Sequence, residues 1–136
     1  TNSNGTVGVI GYCSGGRHAF LAACSRPLDA AVDCYGAFIV GEPPPQLARL
    51  TPLVQLTPQL SGPLLGLFGN DDTHPSPAEV NELERVLTGH GKSYEFYRYD
   101  GAGHAFFNTD RPSYRPQAAL DGWAKVFDFF GRHLAG

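Results

Sequence analysis

The sequence predicts a single α/β domain over residues 1–136, built as a mostly parallel sheet of about four strands flanked by helices. Three observations carry this. Short apolar runs of strand length alternate along the chain with longer runs of helical periodicity. The run over residues 63–69 holds almost no polar residue, the composition of a strand covered on both faces. With 136 residues, 42% of them hydrophobic and 17% charged, the chain is long enough for one sizeable core.

The first strand is the run Val7-Gly8-Val9-Ile10, which ends in Gly11-Tyr12-Cys13-Ser14-Gly15-Gly16. Residues 17–23 then read as a helix, closed by Arg26-Pro27. Residues 30–36 form a second short buried strand. A long Pro-rich loop over residues 41–63, with room for one or two helical turns, leads to the third strand at 63–69 and its Asn70-Asp71-Asp72 end. Ser76-Pro77-Ala78-Glu79 is a helix start, with Ser as cap, Pro at the first helical position and Glu completing a capping box. Val80, Leu83, Val86 and Leu87 continue that helix at helical spacing, and Gly89 and Gly91 stop it. Residues 94–99 alternate as a fourth, one-sided strand, followed by the Gly101-Ala102-Gly103-His104 turn. A last helix over about 115–134 carries Ala119, Trp123, Val126, Phe127 and Phe130 on its apolar stripe.

Charge and cysteine use exclude several classes of function. A net charge of −3 with no basic run argues against nucleic acid and anionic membranes as partners. No apolar run approaches the ~20 residues of a membrane span, and nothing resembles a signal peptide, so a reducing cytoplasm is the expected location. Three cysteines without metal-like spacing argue against a disulfide framework or a zinc site. Cys24 and Cys34 sit in apolar surroundings and read as buried hydrophobes.

Cys13 reads differently. It occupies a strand-to-helix "nucleophile elbow", with Cys in the usual Ser position, at a helix N-terminus whose dipole favours a thiolate. The glycines two before and two after it, Gly11 and Gly15, are expected to be required because a Cβ at either would clash in the tight turn. In a parallel sheet the reactive groups gather at the carboxyl ends of the strands. Three candidates end strands there: Cys13, one of Asp71 and Asp72, and His104. Nucleophile, acid, His is the chain order of α/β-hydrolases. An imidazole must take the thiol proton, and a carboxylate must orient the imidazole and stabilise its charged form. His18, His74, His90 and His133 read as solvated, with His18 and His74 left as the two candidates to line the site.

The motifs Gly11-Tyr12-Cys13-Ser14-Gly15-Gly16, Gly69-Asn70-Asp71-Asp72 and Gly101-Ala102-Gly103-His104-Ala105-Phe106-Phe107-Asn108 together resemble the dienelactone hydrolase family, over essentially the whole chain. The resemblance implies a hydrolase acting on a lactone or carboxylic ester through a thiol acyl-enzyme, with no metal or organic cofactor. It selects Asp72 over Asp71 as the acid, leaving Asp71 to cap the turn. It makes Cys13 the nucleophile, His104 the base and then the acid, and the Ser14 N–H an oxyanion donor. Tyr12, Arg17, Tyr35, Phe106 and Asn108 are the expected substrate contacts. Asn108 stands where the family places an Arg that binds a substrate carboxylate, and Arg111 and Arg115 are the candidates to replace it.

The resemblance also implies a partial α/β-hydrolase fold. Members carry several strands before the elbow strand, with a second oxyanion donor and a Glu and an Arg of the site, whereas only Thr1 to Gly5 stand before Thr6 here. One side of the first strand is then an apolar edge, and a homo-oligomer that buries it, or a partner chain supplying strands, is expected. Two other readings start from the same residues. One is a non-catalytic half-hydrolase that binds partners or small molecules; the other is a redox-sensing Cys13.

Overall fold

The computed structural model describes residues 3–47 and 52–135. Four strands, β1 (Gly8–Tyr12), β2 (Ala30–Cys34), β3 (Leu64–Gly69) and β4 (Tyr94–Tyr99), form one sheet in the order β1-β2-β3-β4. All three pairings are parallel, and Ile10 stands opposite Val32, Val32 opposite Leu65 and Leu65 opposite Glu95. The helices are α1 (Ser14–Ser25), α2 (Pro77–Gly89) and α3 (Pro116–Leu134). This is the α/β architecture expected from the alternation of runs.

The period-2 direction of side chains divides the core in two. Ala30, Val32, Cys34, Leu65 and Leu67 point to one face, where they meet Ala119, Val126 and Phe129 of α3. Ala31 and Leu64 point to the other, where Phe20 and Ala23 of α1 and Leu83 and Leu87 of α2 cover them. Every residue of β2 and β3 is buried, as befits central strands under two layers. β1 and β4 are the edges of the sheet and are only partly covered.

The expected capping box starts α2: Ser76 Oγ accepts the Glu79 N–H at 3.2 Å, and the Glu79 carboxylate accepts the Ser76 N–H at 3.4 Å. The long loop holds short 3₁₀ turns at Pro45–Leu47 and Leu53–Gln59, and its residues 48–51 lie outside the described residues.

α3 corrects the expected stripe. Its buried positions are Ala119, Gly122, Val126 and Phe129, whereas Trp123 is 37% and Phe127 69% exposed. Each of those two follows a buried position and is turned about 100° from it around the helix. They look past β2 and β3 toward the β1 edge, where the Trp123 ring lies 6.2 Å from that of Tyr12.

Candidate active site

β1 runs into Cys13, whose backbone takes φ 58° and ψ −122°, and α1 begins at the next residue. A residue with a Cβ holds such a conformation only where its surroundings enforce it. The Cys13 N–H donates to the Cys34 carbonyl at 3.0 Å, tying the elbow to the end of β2. Gly11 is needed, because a Cβ there would run into the Gly15 carbonyl. The second required glycine is Gly16 and not Gly15, which corrects the sequence expectation. A Cβ on Gly16 would strike the Asp33 carboxylate and approach the Cys34 carbonyl to 2.9 Å, whereas Gly15 faces open space. Cys13 is exposed at the tip, while Cys24 and Cys34 are buried. Ser14 opens α1, in the first turn where backbone N–H groups lack intrahelical partners.

The acid and the imidazole are brought together by two turns that touch. Gly69 ends β3 so close to the turn after β4 that a Cβ would hit the Ala102 carbonyl, and the Asp71 N–H donates to that carbonyl at 2.9 Å. The Asn70 side chain adds a 2.7 Å bond to Asp100. Asp72 is buried and points at His104, with its Oδ2 2.8 Å from Nδ1; Asp71 is exposed. The other imidazole nitrogen, Nε2, lies 3.0 Å from Cys13 Sγ. The structure thus lines up a carboxylate, an imidazole and a sulfur from three strand ends. The Asp72 hydrogen bond, with a smaller contribution from Cys13, outweighs burial and raises His104 from 6.5 to about 9.

Cys13 and His104 stand at a cavity of about 480 Å³ lined also by Tyr12, Tyr35, Ala105, Phe107, Asn108, Arg111 and Trp123, with the buried Asp72 behind the imidazole. Cys13, Tyr35 and Ala105 of that lining all have positive φ, at 58°, 43° and 61°. Of the expected substrate contacts, Tyr12, Tyr35 and Asn108 line the cavity and Arg17 and Phe106 do not. Arg17 is buried on the other side of the elbow, its Nε donating to the Phe38 carbonyl at 3.4 Å. Phe106 is fully buried under Tyr35, and its neighbour Phe107 takes the wall instead, stacked on Trp123 at 5.3 Å. The left-handed backbone at Ala105 turns consecutive side chains in a way that neither strand nor helix periodicity anticipates.

The two candidate arginines separate. Arg115 spends its guanidinium on the carbonyls of Gly101, Pro112 and Tyr114, all at 3.0 Å, while Arg111 lines the cavity. Among the described residues no cluster of three His, Cys, Asp or Glu is arranged to hold a metal ion, and no helix is long and apolar enough to cross a membrane. His18 and His74 are exposed and line no part of this cavity.

The family model for the dienelactone hydrolase family matches residues 1–134. The carboxymethylenebutenolidase of Rhodococcus opacus is 34% identical over 131 residues, an alignment that takes in 95% of this chain and 51% of that one. The chain spans about half the length of the curated relatives it matches. A crystal structure from Klebsiella pneumoniae, of a protein called "Putative Dienelactone Hydrolase", superposes with a TM-score of 0.81 at 31% identity, over 91% of this chain and 51% of the other. An acylaminoacyl peptidase of Pyrococcus horikoshii, at 17% identity, shares the fold with a TM-score of 0.76, over 95% of this chain and 24% of the other. On the match of the family model over nearly every residue, the chain belongs to the dienelactone hydrolase family.

Proposed function

We propose that this chain hydrolyses carboxylic esters or lactones by thiol chemistry, with Cys13 as nucleophile, His104 as base and then acid, and Asp72 orienting the imidazole. The observation that carries the reading is the unbroken line from Asp72 Oδ2 through His104 to Cys13 Sγ, with steps of 2.8 and 3.0 Å. Family membership and the names of the relatives support an ester or lactone as the bond attacked.

The raised basicity of His104 stabilises the imidazolium against Asp72, so the Cys13 proton rests on the imidazole before attack. Sγ then adds to the substrate carbonyl, and the carbonyl oxygen becomes an oxyanion facing the Ser14 N–H. As the intermediate collapses, the C–O bond breaks and the imidazolium gives its proton to the departing alkoxide, leaving a thioester on Cys13. Water, deprotonated by His104, adds to the thioester carbonyl; Sγ leaves and the carboxylic acid is released. The aromatic walls of Tyr12, Tyr35, Phe107 and Trp123 suit a flat, apolar acyl group, and Arg111 at the rim suits an anionic substituent on it.

One oxyanion donor from this segment sets an expectation for the rate. Loss of a single donor lowers turnover by about 10²–10³, so slow hydrolysis is expected of the 136 residues alone. The alternative, a non-catalytic module, is favoured by the apolar residues exposed along β1 and α3. Release of 4-nitrophenol from an acetate ester decides between them. Continuous turnover that disappears in both Cys13→Ala and His104→Ala supports the hydrolase. A burst of one equivalent without turnover means acylation alone, and no reaction at all favours the module.

A further inference from the structure

Asp33 on β2 is fully buried, with 0% of its surface exposed. Its Oδ1 accepts the Gly36 N–H at 2.8 Å, and its Oδ2 has no hydrogen-bond partner among the described residues. Its partners in the sheet are Gly11 of β1 and Gly66 of β3, neither of which has a side chain. A Cβ on either Gly16 or Gly36 would strike Oδ1, and a Cβ on Gly36 would also come within 2.8 Å of the Gly16 backbone. The carboxyl is therefore clamped where the first turn of α1 meets the turn that follows β2. That second turn carries Tyr35 at φ 43°, whose ring forms a cavity wall 5.2 Å from the His104 ring.

Space alone does not account for a carboxyl here, because burying one with a single hydrogen-bond donor is costly and a small apolar residue would fill the site at less cost. Such breaches of local rules concentrate at functional sites. We infer that Asp33 is a positioning residue of the site: its buried carboxyl pins the Tyr35 turn against the first turn of α1 and so fixes the Cys13 elbow against the cavity wall.

Burial pushes the Asp33 carboxyl from 3.8 up to about 7, opposed by the Gly36 N–H. Among the described residues Asp33 forms no ion pair, and its Oδ2 accepts no hydrogen bond. α1 contributes Arg17, whose Nε donates to the Phe38 carbonyl; α2 contributes Glu79, tied to Ser76; and β2 itself contributes the buried Cys34 thiol, pushed up by burial and then by Asp33. Above neutrality a carboxylate with one donor then sits beneath the elbow, and the clamp loosens.

The inference rests on Cys13 being the reacting group, yet it is tested without turnover. Alkylation of Cys13 by iodoacetamide, read by mass spectrometry, is compared for the native chain, Asp33→Asn and Asp33→Ala from about pH 5.5 to about pH 9. Asp33→Asn keeps the acceptor and cannot ionise, so it matches the native rate at the acid end and outruns it several-fold at the alkaline end. Asp33→Ala orphans the Gly36 N–H and is slower throughout. A native-to-Asn ratio that stays constant with pH, or an Ala variant alkylating at the native rate, overturns the inference. Where the Ala variant does not fold, the ratio decides alone. A protein that passes this test yet hydrolyses no ester sinks the hydrolase reading and keeps this one.

Discussion

His104 Nδ1 lies 2.8 Å from Asp72 Oδ2, and the second oxygen of the same carboxylate accepts the His74 N–H at 2.8 Å. Both oxygens of a buried group are therefore committed, and the imidazole cannot rotate without giving up its strongest contact. The bond also fixes the tautomer: Nδ1 carries a hydrogen, and Nε2 faces sulfur. Asp72→Asn offers an amide in place of the charge and weakens the imidazolium. Its kcat on 4-nitrophenyl acetate is expected to fall by roughly 10²–10⁴ with KM little changed. An unchanged kcat would remove Asp72 from the mechanism.

The same hydrogen bond makes stability depend on pH. The folded chain holds the His104 proton up to about pH 9, whereas the unfolded chain releases it near 6.5. The stabilisation is complete below the lower value and is lost as pH rises through the upper one. Asp33, raised from 3.8 to about 7, acts with the same sign over the lower window. Urea midpoints are expected to decline steadily across both windows, and His104→Gln to flatten the upper window only. A native midpoint that rises between neutrality and pH 9 would contradict this assignment.

The two glycines after Cys13 predict opposite outcomes for one substitution. Gly16→Ala forces a methyl against Asp33 and the Cys34 carbonyl, and overpacking of this kind costs about 1–3 kcal/mol. Gly15→Ala meets nothing within 4 Å and removes a helical glycine, for an expected gain of about 0.5–1 kcal/mol. Denaturant titration of both variants measures the difference, and equal effects would mean that the elbow is not packed as described.

This reversal shows what the sequence discloses and what it does not. Elements bounded by local chemistry are legible: Ser76 and Glu79 announce α2, and the unbroken apolar run of β3 announces a central strand. Cys13, Asp72 and His104 are found because each ends a strand, and strand ends of a parallel sheet share one rim. Choices between neighbours are harder. Gly15 or Gly16, Phe106 or Phe107, and Arg111 or Arg115 each depend on a left-handed backbone angle or on a contact made by a distant segment, which no local pattern records. Trp123 was legible as helical and apolar, yet its exposure follows from where the sheet ends.

That edge gives a prediction about association. Val7, Tyr12, Leu120, Trp123 and Phe127 are the exposed large apolar residues among those described, at 55, 37, 71, 37 and 69%. Tyr12, Trp123 and Phe127 are in ring contact beside β1, whose outer hydrogen-bonding side is open in this sheet. An open apolar edge is a template for another strand. The chain of 136 residues, expressed alone, is expected to sediment as a dimer or larger species at micromolar concentration, and Val7→Lys with Phe127→Glu to shift it toward monomer. A native monomer at that concentration would contradict the prediction.

Arg111 predicts which substrates are preferred. Arg115 is spent on three backbone carbonyls, so the guanidinium able to reach a ligand in the cavity is that of Arg111, three residues beyond Asn108. A hydrogen bond to a charged group contributes about 1.5–3 kcal/mol, which corresponds to about ten-fold or more in binding. Arg111→Ala is therefore expected to raise KM for an ester whose acyl group carries a carboxylate by at least that factor, while KM for 4-nitrophenyl acetate stays within about two-fold. Because Arg111 touches neither Cys13 nor Asp72 through any hydrogen bond, kcat on the neutral ester serves as the control for the integrity of the site. An equal rise in KM for both esters would assign Arg111 to the shape of the cavity and leave the anionic substituent without a partner.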